Sequence, residues 1–517
     1  MSENAKSILD WIDVGKVSAE RDNLLTEYFF DNGVVKNVID NENSFLVLGR
    51  KGAGKTAVFK FLSENQDKFI KTTDILTALS FDDYSWNIHA LLVDSGKADS
   101  LAYRRSWNLI ILIEAIRSYS NWFSQRGKKP PKSLEKANKL LETIFESPVP
   151  SIPRLIGRKI LSLSGLKLPK GGLNLEDGNI DEVSIDGGEV SFESVRDSAS
   201  LQSALSENIE NLIKVLERSL VECKDDLTTL YVCFDKVDEA WDEVSFESSK
   251  KVIAGLVAAC DAITTYHGGK IRPVIFLRED IFETLSLNDS NKLRADCGEL
   301  LNWTKSSLTN LILKRINYFA KEAGQPLVSS FDLLFDRSEM RQRLKPFNYI
   351  LKRTMMRPRD LICIMGMVIK TMKESADSPF NEETICHSKL EAEAIYAAEP
   401  KYSEWLRQEI MDEWKVQRPE IVKVFSALQN NGTTNFGKES LAKELENLDW
   451  KLQSGEILSL LRFMFDNSII GFKVGSSNEW KFKCFYPSQG FMDSDEYRVH
   501  EGLVRALNLK ENREREI

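Results

Sequence analysis

The sequence predicts an α/β chain: a parallel sheet carrying a phosphate-binding loop, then a helical region, then C-terminal helices with a hairpin. Three observations predict it. Short apolar runs alternate with long helical patterns through the first half, as expected for strands buried on both faces of a parallel sheet. One run, Ser44-Phe45-Leu46-Val47-Leu48, leads directly into Gly49-Arg50-Lys51-Gly52-Ala53-Gly54-Lys55-Thr56 and then into the helix-like stretch from Ala57 to Leu62. Another run, Leu230 to Phe234, ends in Asp235-Lys236-Val237-Asp238-Glu239.

The first of these loops fits G-x-x-x-x-G-K-[ST] at every fixed position. Its glycines let the backbone turn and aim N–H groups inward, and the following helix start adds partial positive charge. In such a loop the amides of residues 49–56 cradle phosphates, Lys55 reaches the β- and γ-phosphates of ATP, and Thr56 holds Mg²⁺. The metal needs a second ligand from a neighbouring strand, and Asp235, the first carboxylate after the second run, is the candidate. Glu239 is the preferred base for the attacking water and Asp238 the second choice, because the Asp-Glu pair comes three residues after the strand end. Taken alone, the segment reads as an acidic loop after a core strand; the phosphate loop beside it is what favours the metal reading.

A third apolar run, Pro273 to Leu277, ends in Arg278-Glu279-Asp280. Ligands bind at the carboxyl edge of such sheets, so Arg278 is a candidate γ-phosphate sensor, against a plain ion pair with Glu279 or Asp280. Further on, Met356-Arg357-Pro358-Arg359-Asp360 opens an apolar helix, and Arg357 or Arg359 is a second sensor candidate. Lys292 and Arg294, read as lying in a polar loop, are weaker candidates for a group acting in trans.

Bulk properties narrow the classes. A chain of 517 residues exceeds one ordinary core. A net charge of −9 gives no whole-chain basic footprint for nucleic acid. The 7 cysteines are scattered with no C-x-x-C, and the 4 histidines leave little for a His-based metal site or triad. No apolar run approaches a membrane span and no signal-peptide pattern opens the chain, so a cytoplasmic protein with reduced thiols and no membrane partner is expected. Residues 1–43 read as a helical segment and 44–304 as the core, with an insertion at about 97–200 that is helical first and Gly/Pro/Ser-rich from 149. Residues 305–415 read as a helical lid. Residues 416–517 read as a winged-helix-like domain and a charged tail, with a hairpin joined through Gly475-Ser476-Ser477-Asn478. The expected fold class is thus α/β, a P-loop NTPase parallel sheet with a helical lid and a C-terminal winged-helix-like domain.

The loop at 49–56, the segment 235–239, the strand end at Arg278, Leu301-Asn302-Trp303 with Leu308, Leu311 and Arg315, and Arg357-Pro358-Arg359-Asp360 follow in an order that resembles AAA+ and STAND-type P-loop ATPases. The resemblance is strongest to a bacterial P-loop ATPase family related to the KAP and origin-recognition ATPases. It implies that ATP and Mg²⁺ switch a conformational or oligomeric state. It also implies a homo-oligomer working with an effector protein, in a prokaryotic defence or conflict system. The alternative is an ATP-bound regulator or adaptor that uses residues 416–488, with Lys481 and Lys483, on DNA. The 149–200 insertion and the Asp-x-x-Asp-Glu spacing depart from the family pattern.

Overall fold

The computed structural model describes residues 7–81, 89, 100–145, 147–149, 162–167, 184–185, 199–240, 246–287, 289–376, 387–474 and 479–511. Most of the Gly/Pro/Ser-rich part of the expected insertion (149–200), the 475–478 hairpin connection and all but the first residues of the charged tail lie outside them. The chain divides into two compact units. One comprises Asp31–Arg50 and Lys55–Leu301; the other comprises Met1–Phe30, Lys51–Gly54 and Asn302–Ile517.

The first unit is built on a parallel sheet. Its strands are β1 (Leu46–Gly49), β2 (Ile75–Ser80), β5 (Leu230–Asp235), β6 (Ile271–Arg278) and β7 (Gly298–Leu300), in the order β2-β5-β6-β1-β7. Every pairing between them is parallel. A separate two-residue ladder pairs β3 (Leu166–Lys167) with β4 (Ser184–Ile185) within the expected insertion. β1 and β5 are buried along their whole length, which explains their unbroken Val/Leu/Phe character. Helices Ser100–Gln125 and Phe246–Tyr266 pack on one another over the sheet. Arg272 is buried in β6, where its two terminal nitrogens donate to the carbonyls of Val38, Ile39 and Asn41, capping the helix Val34–Asp40, and its guanidinium lies over the Tyr231 ring.

One expectation changes here. Lys292 and Arg294 lie on a helix, Ser290–Cys297, and Arg294 pairs with Glu279 and Glu283. The next three residues form β7 against β1, although Gly298-Glu299-Leu300 has no apolar run. Its pairing comes from the sheet edge offered by β1, a long-range partner that local periodicity does not report.

The second unit begins with residues expected to be helical. The α-helix of the expected segment, Val34–Asp40, lies in the first unit; residues 7–30 form one 3-10 turn, Ile8–Asp10, and then irregular chain. That stretch is held instead by side chains of the helix Lys305–Glu322. Arg315 donates to the Val14 carbonyl at 2.7 Å, pairs with Asp22 at 3.2 Å and stacks over Tyr28, whose hydroxyl donates to Asp22. Gly15 passes this cluster at φ +74, and a Cβ there would stand 2.2 Å from the Tyr28 hydroxyl oxygen. Gly15→Ala is therefore expected to cost about 2–4 kcal/mol, through left-handed strain and overpacking. Thermal denaturation checks it, and an unchanged melting temperature would contradict the packing described.

The helices Pro358–Ala376 and Ala392–Trp414 pack together and complete the helical part. Arg353 is buried over the Tyr349 ring and reaches Glu399 at 2.9 Å, and Arg505 meets the same carboxylate at 3.4 Å. The chain then runs through helix Ile421–Asn431, β8 (Asn435–Phe436), helices Lys438–Asn447 and Ser454–Asp466, β9 (Ile470–Lys473), β10 (Trp480–Lys481) and β11 (Tyr497–Val499). This is a winged-helix-like arrangement, with one difference from the expected hairpin. β11 inserts between β8 and β9, giving an antiparallel sheet of order β10-β9-β11-β8. Tyr497 and Val499 are buried, so β11 is a core strand although it is only three residues long.

Candidate nucleotide-binding site

The residues expected to bind phosphate lie on the loop between β1 and helix Lys55–Glu64. Gly49 closes β1, and the loop passes through Gly52 at φ +81 and Gly54 at φ +104. Both conformations favour glycine, and at Gly52 a Cβ would also meet the Arg359 side chain at 3.1 Å. Residues 49–50 and 55–56 belong to the sheet unit, and 51–54 belong to the helical unit.

In the sheet unit, Lys55 directs Nζ to the carbonyls of Gly49 at 3.0 Å and Arg50 at 3.4 Å. Burial lowers its pKa, Asp238 and Asp235 oppose that fall, and Arg278 adds to it. These four groups therefore share one electrostatic neighbourhood at the carboxyl ends of β5 and β6. Asp235 ends β5 at 2 % exposure, and one of its oxygens, Oδ2, has no hydrogen-bond partner. Burial pushes its pKa up to about 6, against the Lys236 amide and the Thr56 hydroxyl, which hydrogen-bond to it. A buried carboxylate with an unpartnered oxygen, bonded to the loop threonine, is a donor set suited to a hard divalent cation such as Mg²⁺. Among the described residues there is no cluster of three or more His, Cys, Asp or Glu of the kind that holds a metal by protein ligands alone. A site using one carboxylate and one hydroxyl leaves room for phosphate oxygens and water.

After Asp235 the chain turns sharply at Lys236, φ +60, into the 3-10 turn Val237–Ala240. Asp238 lies on this turn, half-buried, and favours the charged form of Lys55. Glu239 is on the same turn, but its side chain lies outside the described residues. Arg278 stands directly beside Gly49 in the β6–β1 register. It forms a two-pronged pair with Asp280, Nε to Oδ1 at 3.1 Å and Nη2 to Oδ2 at 2.6 Å.

In the helical unit, the loop tip meets the start of helix Pro358–Ala376. Arg357 is 8 % exposed and bonds both oxygens of Asp360, with Glu413 at 3.8 Å. Burial works to lower its pKa, but Asp360 and Glu413 hold it above the ordinary arginine value. Arg359 pairs with Glu409 at 3.0 Å, and the same carboxylate oxygen lies 4.0 Å from Lys51 Nζ. Both sensor candidates on this helix are thus engaged by acids of helix Ala392–Trp414. Glu409 and Glu413 had no place in the sequence reading. Their signal was an acidic pair four residues apart on one helix face, which usually marks nothing more than a solvated surface.

Residues 306–411 match the family model of a FunZ-associated C-terminal helical domain. Over 96 % of its length the chain is 25 % identical to an Escherichia coli (strain K12) protein named "Putative transposon gamma-delta 80.3 kDa protein", of which it spans 67 %. Cdc6p from Pyrobaculum aerophilum, known from its crystal structure, aligns over 98 % of this chain and 97 % of its own at 11 % identity. The TM-score is 0.30, too distant a likeness to bear on function. No helix among the described residues is long and apolar enough to cross a membrane.

Proposed function

We propose that the chain is an ATP-binding and ATP-hydrolysing switch of AAA+/STAND type. The observation that carries this reading is the pairing of a glycine-turned phosphate loop with a buried, half-unsatisfied carboxylate bonded to Thr56. In this reading Lys55 leaves the carbonyls of Gly49 and Arg50 for the β- and γ-phosphates. Thr56 and Asp235 would hold Mg²⁺, which would supply neutralising charge to the phosphate oxygens. Water attacks the γ-phosphorus, the bond to the β–γ bridging oxygen breaks, and Glu239 or Asp238 takes the water proton. Arg278 shifts from Asp280 to the charge that builds up on the γ-phosphoryl group.

The relative's name ties it to a transposon, which supports work on or against mobile elements, with a partner effector carrying any destructive chemistry. A homo-oligomeric active state belongs to the same proposal. Direct DNA binding finds less support in the charge pattern. Lys438, Lys451, Lys473 and Lys481 each pair with a carboxylate, and Lys483 donates to the Gln489 carbonyl.

The test is phosphate release by the purified chain in Mg²⁺-ATP, beside Asp238→Asn and Glu239→Gln. One of these variants is expected to retain ATP while losing at least about a hundredfold in turnover, and so to identify the base. Turnover unaffected by both would move the base to another residue. Failure of the wild-type chain to bind ATP would remove the reading altogether.

A further inference from the structure

Three successive carbonyls at the tip of the phosphate loop each receive a donor from the helical unit. The Lys51 carbonyl accepts from Arg357 Nη1 at 3.1 Å. The Gly52 carbonyl accepts from the backbone N–H of Arg359 at 3.4 Å. The Ala53 carbonyl accepts from the Trp303 indole Nε1–H at 2.8 Å. The three donors come from separate sources: a buried guanidinium, an N–H of a helix's first turn that has no intrahelical acceptor, and an aromatic ring.

In a planar trans peptide the C=O of one residue and the N–H of the next point in opposite directions. Holding the carbonyls of residues 51, 52 and 53 therefore fixes the directions of the N–H groups of Gly52, Ala53 and Gly54. Those amides are the anion-binding part of such a loop. A loop with two glycines at positive φ has little stiffness of its own, so something outside it must choose the peptide orientations. The geometry points to Trp303, with Arg357 behind it, as a positioning residue that sets the loop amides for phosphate binding before nucleotide arrives. Arg357 then acts on the loop backbone, and its Asp360 and Glu413 partners serve to aim it.

This inference rests on the ATP reading above. It differs from a sensor role in what it predicts. A γ-phosphate sensor discriminates ATP from ADP and alters turnover. A residue that sets loop amides weakens both nucleotides by the same factor and leaves turnover at saturation unchanged.

The experiment measures binding of ATP and ADP, with KM and kcat for ATP, in wild type, Lys55→Ala and Trp303→Phe. A fourth protein carries 3-benzothienylalanine at position 303, which replaces the indole N–H by sulfur at constant shape. Melting temperatures without nucleotide monitor folding. The expected result is a roughly tenfold weaker affinity for both nucleotides in the two position-303 variants, a matching rise in KM and an unchanged kcat, the loss of one hydrogen bond to a buried carbonyl. The isosteric variant keeps its melting temperature. Wild-type affinity in that variant, or a loss confined to ATP, overturns the inference while the ATP reading stands. Absence of nucleotide binding in the wild type, matching Lys55→Ala, overturns both.

Discussion

Lys55→Ala is expected to abolish the stabilisation that Mg²⁺-ATP confers on the wild-type chain. A ligand that binds only the folded state raises stability by RT ln(1 + [L]/Kd), about 2.7 kcal/mol at a hundredfold excess over Kd. For a protein of this size that is a readily measured rise in melting temperature. Lys55 is the one cation of the loop whose ammonium already points at the loop's own carbonyls, those of Gly49 and Arg50, and is enclosed enough for burial to lower its pKa. Removing it takes the loop's ammonium from the phosphates and leaves Arg278 as the side-chain cation opposing Asp235 and Asp238 there. Affinity should fall by at least about a hundredfold, the scale of losing a charge-assisted contact in an enclosed site. The melting temperature without nucleotide should change little, because the lysine contributes no core packing. Equal thermal shifts in wild type and variant would contradict the placement of the phosphates at this loop.

Asp235→Asn is expected to do two opposite things: remove Mg²⁺-dependent turnover and stabilise the nucleotide-free protein. The sign follows from the pKa. Burial raises the Asp235 carboxyl from 3.8 to about 6, so the folded state holds its proton more tightly than the unfolded state does. The ionised form therefore costs stability: nothing below the unfolded value near 4, growing through the interval up to about 6, and fully present above it. That difference corresponds to about 3 kcal/mol at neutral pH, an upper bound for the gain, because asparagine also loses water and Lys55 loses a counter-charge. A gain of about 1–3 kcal/mol is expected at pH 7.5, shrinking as pH falls from 6 to 4. Chemical denaturation across that interval reads it directly. A variant less stable than wild type at pH 7.5 would show that Asp235 is a structural anchor and not a ligand kept waiting.

Much of the site was legible in the sequence because each part is local. The loop is contiguous, β1, β5 and β6 are continuous apolar runs, and each places its candidate residue at its own carboxyl end. What could not be read depends on partners far along the chain. β7 owes its existence to the free edge of β1, some 250 residues earlier, and carries no apolar signal of its own. β11 is three residues whose place between β8 and β9 is decided by sheet geometry. The N-terminal stretch has helix-compatible composition, yet its backbone follows Arg315 and Tyr28 into a loop with Gly15 at its turn. Trp303 was visible as part of a family-like segment, but its bond to Ala53, 250 positions earlier, could not be read from it. Arg357 and Arg359 were found from the helix start they flank, with Asp360 beside them; Glu413 and Glu409, which also meet them, lie one helix later, about fifty residues on.

The central claim is nucleotide binding at this loop, and equilibrium binding of ATP by the purified full chain tests it most directly, with and without Mg²⁺. Saturable binding of one ATP per chain, tightened by Mg²⁺ and lost in Lys55→Ala, is the predicted result. No saturable binding at millimolar ATP, in either condition, would contradict it.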